Sequence, residues 1–158
     1  MLRCALMIGA FALGTVIAVG ADTKPSDDLD AIQGNWKPLQ IESDGKPQMK
    51  SELMSQVTGV YDKSEYFLYF VDKANGGNPK VLLLAHTNLT LDQKTNPRGI
   101  TFEFLEGPNK GKRSHGIYEI AGNQLKLCYG PTELPRPTEF KSTPTNGYFL
   151  ETWARKPK

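Results

Sequence analysis

The segment 117–129 restricts the fold more than any other, because its turn, its charges and its apolar residues agree on one register. Gly122-Asn123 places Gly at the first central position of a two-residue hairpin turn, whose twist matches that of antiparallel strands. Pairing outward from the turn sets Ile120 opposite Leu125, Glu119 opposite Lys126, Tyr118 opposite Leu127 and Ile117 opposite Cys128. One face then carries Tyr118, Ile120, Leu125, Leu127 and Tyr129, and the other carries the oppositely charged Glu119–Lys126 pair. A slip of one residue would send every apolar side chain to the wrong face. The same register puts Cys128 on the outer face beside Ile117, beneath a loop.

Elsewhere, fifteen Gly and eleven Pro cut the 158 residues into short pieces, which favours strands and turns over long helices. The length suits one domain. Residues 33–41 read as a first strand with Trp36, Leu39 and Ile41, followed by the turn Asp44-Gly45-Lys46-Pro47. Met49, Leu53 and Val57 recur at four-residue spacing, which predicts one short helix over 48–56. The period then becomes two. Residues 64–71 form an aromatic-rich strand, 74–79 a turn cluster, and 81–91 a strand bent near His86. Ile100, Phe102 and Phe104 alternate with Thr101 and Glu103, so that strand has one wet face. The Pro-rich stretch 132–144 reads as a loop or broken edge strand, and 148–155 as the last strand. About eight strands with short connections and one short helix predict a mainly β, antiparallel fold that closes or sandwiches to bury one face.

The beginning of the chain carries a different message. Arg3 is the only charge before Asp22, an apolar run covers 5–19, and Val19-Gly20-Ala21 offers small residues at a cleavage point. This order predicts a secretory signal over 1–21 and an exported, periplasmic or extracellular protein. The alternative is an uncleaved anchor, for which the run is barely long enough. Once the signal is cleaved, no stable membrane insertion is expected. Removing 21 of 158 residues leaves 137, enough to bury about two thirds of the unfolded surface without a disulfide. Cys4 departs with the signal and Cys128 remains alone, so no intramolecular disulfide is expected. Residues 22–30 read as a polar, flexible lead-in and 31–158 as the folded domain.

Gly34-Asn35-Trp36, opening the first strand, resembles the Gly-x-Trp start of lipocalin-type barrels. A more specific combination follows: Asp44-Gly45-Lys46-Pro47, Gly107-Pro108-Asn109-Lys110-Gly111-Lys112, His115-Gly116-Ile117-Tyr118-Glu119, Gln124-Leu125-Lys126-Leu127-Cys128 and Arg136-Pro137-Thr138-Glu139-Phe140. Together, over 29–156, they resemble a family of exported lipocalin-like domains abundant in planctomycete bacteria. The resemblance implies a lipocalin-like β-barrel and brings no biochemical function with it. Barrels of this type often lay a late-strand Arg over the first-strand Trp. That implies a cation–π contact of Arg155 with Trp36, with Trp153 on the same strand face as a competitor.

The chemistry that the sequence lacks is equally informative. A formal net charge of +2 does not predict a nucleic-acid surface. The run Gly107-Pro108-Asn109-Lys110-Gly111-Lys112 is one residue short of a phosphate loop and joins two strands. Ser114 and His115 point to opposite faces and cannot act as nucleophile and base. His86, His115 and Cys128 are not spaced for zinc. Asp22, Asp27, Asp28 and Asp30 read as a solvated lead-in rather than a calcium site. Asn88-Leu89-Thr90 matches a glycosylation acceptor, which the bacterial resemblance discounts. No metal, cofactor or catalytic activity is expected; Arg136, Glu139 and Cys128 would be the best catalytic candidates, and their spacing demands no chemistry.

Two functions remain. A closed barrel can hold one small apolar or amphipathic ligand in its mouth, lined by Phe102, Phe104, Tyr118, Leu127 and Tyr129. The alternative is a cell-envelope or extracellular protein-interaction module with a solid core and no pocket, presenting the Pro-rich segment around Arg136 and Glu139. A monomer is expected in either case.

Overall fold

The computed structural model describes residues 27–73 and 78–157. The expected signal over 1–21, most of the lead-in and part of the 74–79 turn lie outside the described residues. In chain order the elements are α1 (Asp28–Ile32), β1 (Gly34–Ser43), β2 (Lys46–Pro47), α2 (Ser51–Met54), β3 (Val57–Asp62), β4 (Glu65–Asp72), β5 (Lys80–Asp92), β6 (Arg98–Phe104), β7 (Arg113–Ala121), β8 (Gln124–Tyr129) and β9 (Phe149–Arg155). Each strand from β3 to β9 pairs antiparallel with the next, and β1 pairs with both β3 and β9. The sheet therefore closes into an eight-stranded antiparallel barrel, with β2 a two-residue return on β1. Closure pairs the edges that an open sheet would expose.

The β7–β8 hairpin has the register that its turn requires, from Ala121–Gln124 out to Gly116–Tyr129. Gly122 takes φ +58°, a conformation open to glycine at little steric cost. Ile120, Tyr118, Leu125 and Leu127 turn inward, where Tyr118, Leu125 and Leu127 join Trp36, Ile100 and Phe102 in the core.

One end of the barrel is shut by α1. Residues 28–30, expected in a flexible lead-in, are helical instead. Asp27 caps the helix by accepting from the Leu29 amide at 3.1 Å. Asp28 is buried and accepts from the Tyr118 hydroxyl at 2.6 Å and from Arg98 at 2.8 Å. A five-residue helix cannot stand alone, so these contacts with the barrel hold it. The Trp36 indole donates to the Ile32 carbonyl at 2.8 Å. Above the indole, the Arg155 guanidinium lies 4.2 Å from the ring centroid and donates to the carbonyls of Ala31 and Gln33. Trp153 turns its indole to Glu151, so Arg155 has the Trp36 face to itself.

β3 is absent from the sequence expectation, which uses the spacing of Met49, Leu53 and Val57 to place a helix over 48–56. That helix is only Ser51–Met54. In β3 the inward row is Val57, Gly59 and Tyr61, and Gly59 breaks the apolar alternation. A Cβ on Gly59 would lie 3.1 Å from the Tyr66 ring and 3.3 Å from Trp153, so neighbouring rings fill the space its missing side chain leaves.

The Pro-rich segment after β8 is a strap over the outer wall. Arg136 donates to the Ile100 carbonyl at 2.9 Å, to the Thr101 hydroxyl at 3.0 Å and to the Gly116 carbonyl. A Cβ on Gly99 would meet the Arg136 guanidinium at 2.5 Å, so glycine there admits the clamp. Cys128 lies fully buried under the strap, paired with Ile117 and 3.7 Å from the Lys141 carbonyl.

Candidate functional site

At the end of the barrel opposite α1, the interior is not filled. A cavity of about 140 Å³ opens there, with Ile41, Met49, Leu84 and Phe104 toward the mouth. Its deeper wall includes Tyr66, Phe102, Leu127 and Tyr129. The rings pack on one another, with Tyr66 and Phe102 centroids 5.4 Å apart and Phe102 and Tyr129 centroids 5.9 Å apart and edge-on. Such contacts fix the wall in place.

Three polar side chains, Glu151, Thr87 and Ser114, interrupt this lining. Glu151 of β9 is 6% exposed. Its Oε1 accepts from the Tyr129 hydroxyl at 2.7 Å and its Oε2 from the Trp153 indole at 2.8 Å. Burial raises the pKa of this carboxyl above the ordinary 4.5, and the two hydrogen bonds oppose that rise. No Lys, Arg or His among the described residues forms an ion pair with it. Burial, followed by the charge of Glu151, raises the Tyr129 and Tyr61 phenols, so Tyr129 remains a neutral donor.

The second group is Thr87 of β5, fully buried, whose hydroxyl oxygen finds no hydrogen-bond partner among the described residues. β5 and β9 stand four strands apart in an eight-stranded ring, so Thr87 and Glu151 occupy facing walls. The Ser114 hydroxyl also borders the cavity, but it is committed to the Gly130 carbonyl at 2.5 Å.

Four of the five expected lining residues, Phe102, Phe104, Leu127 and Tyr129, do line this cavity. Tyr118 does not. It shares their inward face but lies further along β7, where its hydroxyl is bound to Asp28 at the closed end. Period two reports the face of a strand and not the depth along the barrel. Arg136 is likewise not free for a partner, because its guanidinium is spent on the barrel wall. Glu139 is exposed on the strap. Trp36 and Arg155 close the far end and take no part in the cavity.

Glu151 and Thr87 escaped the reading of the sequence, although a signal for each was present. Glu151 is two residues before Trp153, on the same inward row. Thr87 alternates with Ala85 and Leu89 between the outward His86 and Asn88. A polar residue interrupting an inward row is the mark to look for. Among the described residues there is no group of three or more His, Cys, Asp or Glu placed to hold a metal ion, and no helix long and apolar enough to cross a membrane. Comparison with protein-family models finds no match, and comparison with curated proteins finds none.

Proposed function

We propose that this protein is an exported lipocalin-like carrier, monomeric and without catalytic activity, that holds one small, mainly apolar molecule in the mouth of its barrel. The observation that carries this reading is the 140 Å³ cavity with its largely apolar wall. Small barrels without a ligand fill their interior with side chains. A hydrophobic cavity of ~150 Å³ accommodates benzene, so a cavity of this volume matches one ring or a short aliphatic chain. A longer tail would leave past Leu84 and Phe104. The arrangement of charge and apolar residues over 1–21 supports export. The motifs over 29–156 support membership of the planctomycete-type exported family.

Toluene is a suitable probe. It should raise the Tm of the purified protein in a concentration-dependent way. Leu127→Trp, which fills the cavity at an overpacking cost of about 1–3 kcal/mol, should abolish that response. Native mass spectrometry of protein from its own host should reveal the carried molecule. Ligand-free protein together with no toluene response would overturn the reading.

A second reading, a protein-interaction module, is favoured by a different observation. Val81, Leu82, Leu83 and Leu84 are 60, 38, 44 and 55% exposed. They lie on the part of β5 that has β4 on one side and, among the described residues, no strand on the other. An uncharged apolar edge of this kind suits an extended apolar segment of another protein added as a strand. Crosslinking in the native host, with and without Leu83→Lys, tests it. Equal capture of the same partner by both proteins would reject the edge.

A further inference from the structure

We propose that the cavity selects a compact apolar amine, whose ammonium group docks on the Glu151 carboxylate. This inference rests on the carrier reading and adds the chemical class of the ligand.

Glu151 is a buried carboxyl group. A carboxylate shielded from water is expensive unless a cation or hydrogen-bond donors compensate it. Here two donors, the Tyr129 hydroxyl and the Trp153 indole, each bind a different oxygen. Both favour the ionised form, since each donates to the oxygen that would carry negative charge. Two hydrogen bonds leave part of the accepting capacity of a carboxylate unused. No cation among the described residues takes up the remainder, and the lining contains no Lys, Arg or His. The missing positive charge is therefore one that a ligand can supply.

Thr87 points independently to a ligand. Its buried hydroxyl has no partner among the described residues, and the residue lines the same cavity from the facing wall. An unsatisfied buried hydroxyl costs stability, which a polar atom of a bound molecule would recover. The rings of Tyr66, Phe102 and Tyr129 supply apolar contact for the body of the ligand, and aromatic faces also attract cations. The same features reject an anion. A ligand carboxylate would be buried near Glu151 with no counter-charge in the lining, so fatty-acid-like molecules are disfavoured.

Isothermal titration of the purified protein at neutral pH with three probes of similar size decides the matter: toluene, benzylamine and benzoate. Benzylamine should bind roughly tenfold or more tightly than toluene, because hydrogen bonds to charged groups exceed neutral contacts. Benzoate should not bind detectably. In Glu151→Gln, which retains the shape of the side chain, benzylamine should lose its advantage over toluene. Equal affinity for toluene and benzylamine in the unmodified protein would overturn the amine assignment and leave the carrier reading in place. Binding of benzoate as tight as that of benzylamine would overturn it as well. If none of the three binds, the carrier reading itself falls. The probe comparison needs only the unmodified protein, so it decides even if the variant does not fold.

Discussion

Glu151 should set a recognisable pH dependence of stability, and Glu151→Gln should remove it. In the folded barrel, desolvation raises the pKa of Glu151 above the ordinary 4.5, with the hydrogen bonds from Tyr129 and Trp153 in opposition. The ionisable neighbours that sense its charge are Tyr129 of β8, Tyr61 of β3 and Tyr66 of β4, all neutral with raised pKa values. Below the unfolded-state pKa, Glu151 is protonated in both states and contributes no pH dependence. As pH rises from that value to the raised folded one, the unfolded chain ionises first. The folded state then binds more protons, and stability falls with pH by about 1.4 kcal/mol for each unit by which the two pKa values differ. The amide of the Glu151→Gln variant cannot ionise, so the fall should be absent. That amide still offers one acceptor oxygen to Tyr129 or Trp153, and the tyrosine hydroxyl can accept from its NH2 group. The variant should therefore stay within about 1 kcal/mol of the parent, or exceed it, above the window. Glu151→Leu, by contrast, leaves two buried donors unmet and should lose about 2–6 kcal/mol. Urea denaturation at a series of pH values measures each case. Parallel pH profiles for the parent and Glu151→Gln would refute the reasoning, as would a parent that gains stability relative to the variant on raising pH through the window.

Three further outcomes are expected. Arg155→Leu should lose about 2–4 kcal/mol in urea denaturation, through the cation–π contact and the orphaned Ala31 and Gln33 carbonyls; Arg155→Lys should recover less than half, and a neutral effect of both would show that α1 is held without the clamp. Cys128, its thiol pKa pushed up by burial beneath the strap, should resist thiol reagents in the folded protein and react on unfolding; rapid stoichiometric labelling of native protein would refute this. N-terminal sequencing of protein from its own host should begin at Asp22, and a retained Met1 in the membrane fraction would establish an anchor.

Much of the barrel was legible because β structure writes a period of two into the chain. The turn Gly122-Asn123, the Glu119–Lys126 pair and the apolar row of Leu125 and Leu127 all agree on one register, and that register is the one adopted. β3 was illegible for the converse reason. Gly59 removes an inward side chain, and the sequence cannot display that Tyr66 and Trp153 fill the gap from other strands. Nor could composition show that Val81–Leu84, the most apolar run after the opening segment, would stand partly exposed beyond the end of β6.

The candidate site divides along the same line. Local alternation determined that Phe102, Leu127, Tyr129 and Tyr118 share an inward face, since neighbouring side chains on a strand point to opposite sides whatever the rest of the chain does. Depth within the barrel is different, because it depends on how the strands stagger when β9 meets β1. Closure sent Tyr118 to Asp28 at the shut end and Tyr129 to Glu151 in the cavity, although both start from one hairpin. Closure also set Thr87 and Glu151 on facing walls, 64 residues apart in the chain. The sequence by itself thus determined which residues face inward, through short-range backbone geometry. Only the tertiary structure decided which of them meet, because strand order and stagger are properties of the closed sheet and of no single strand.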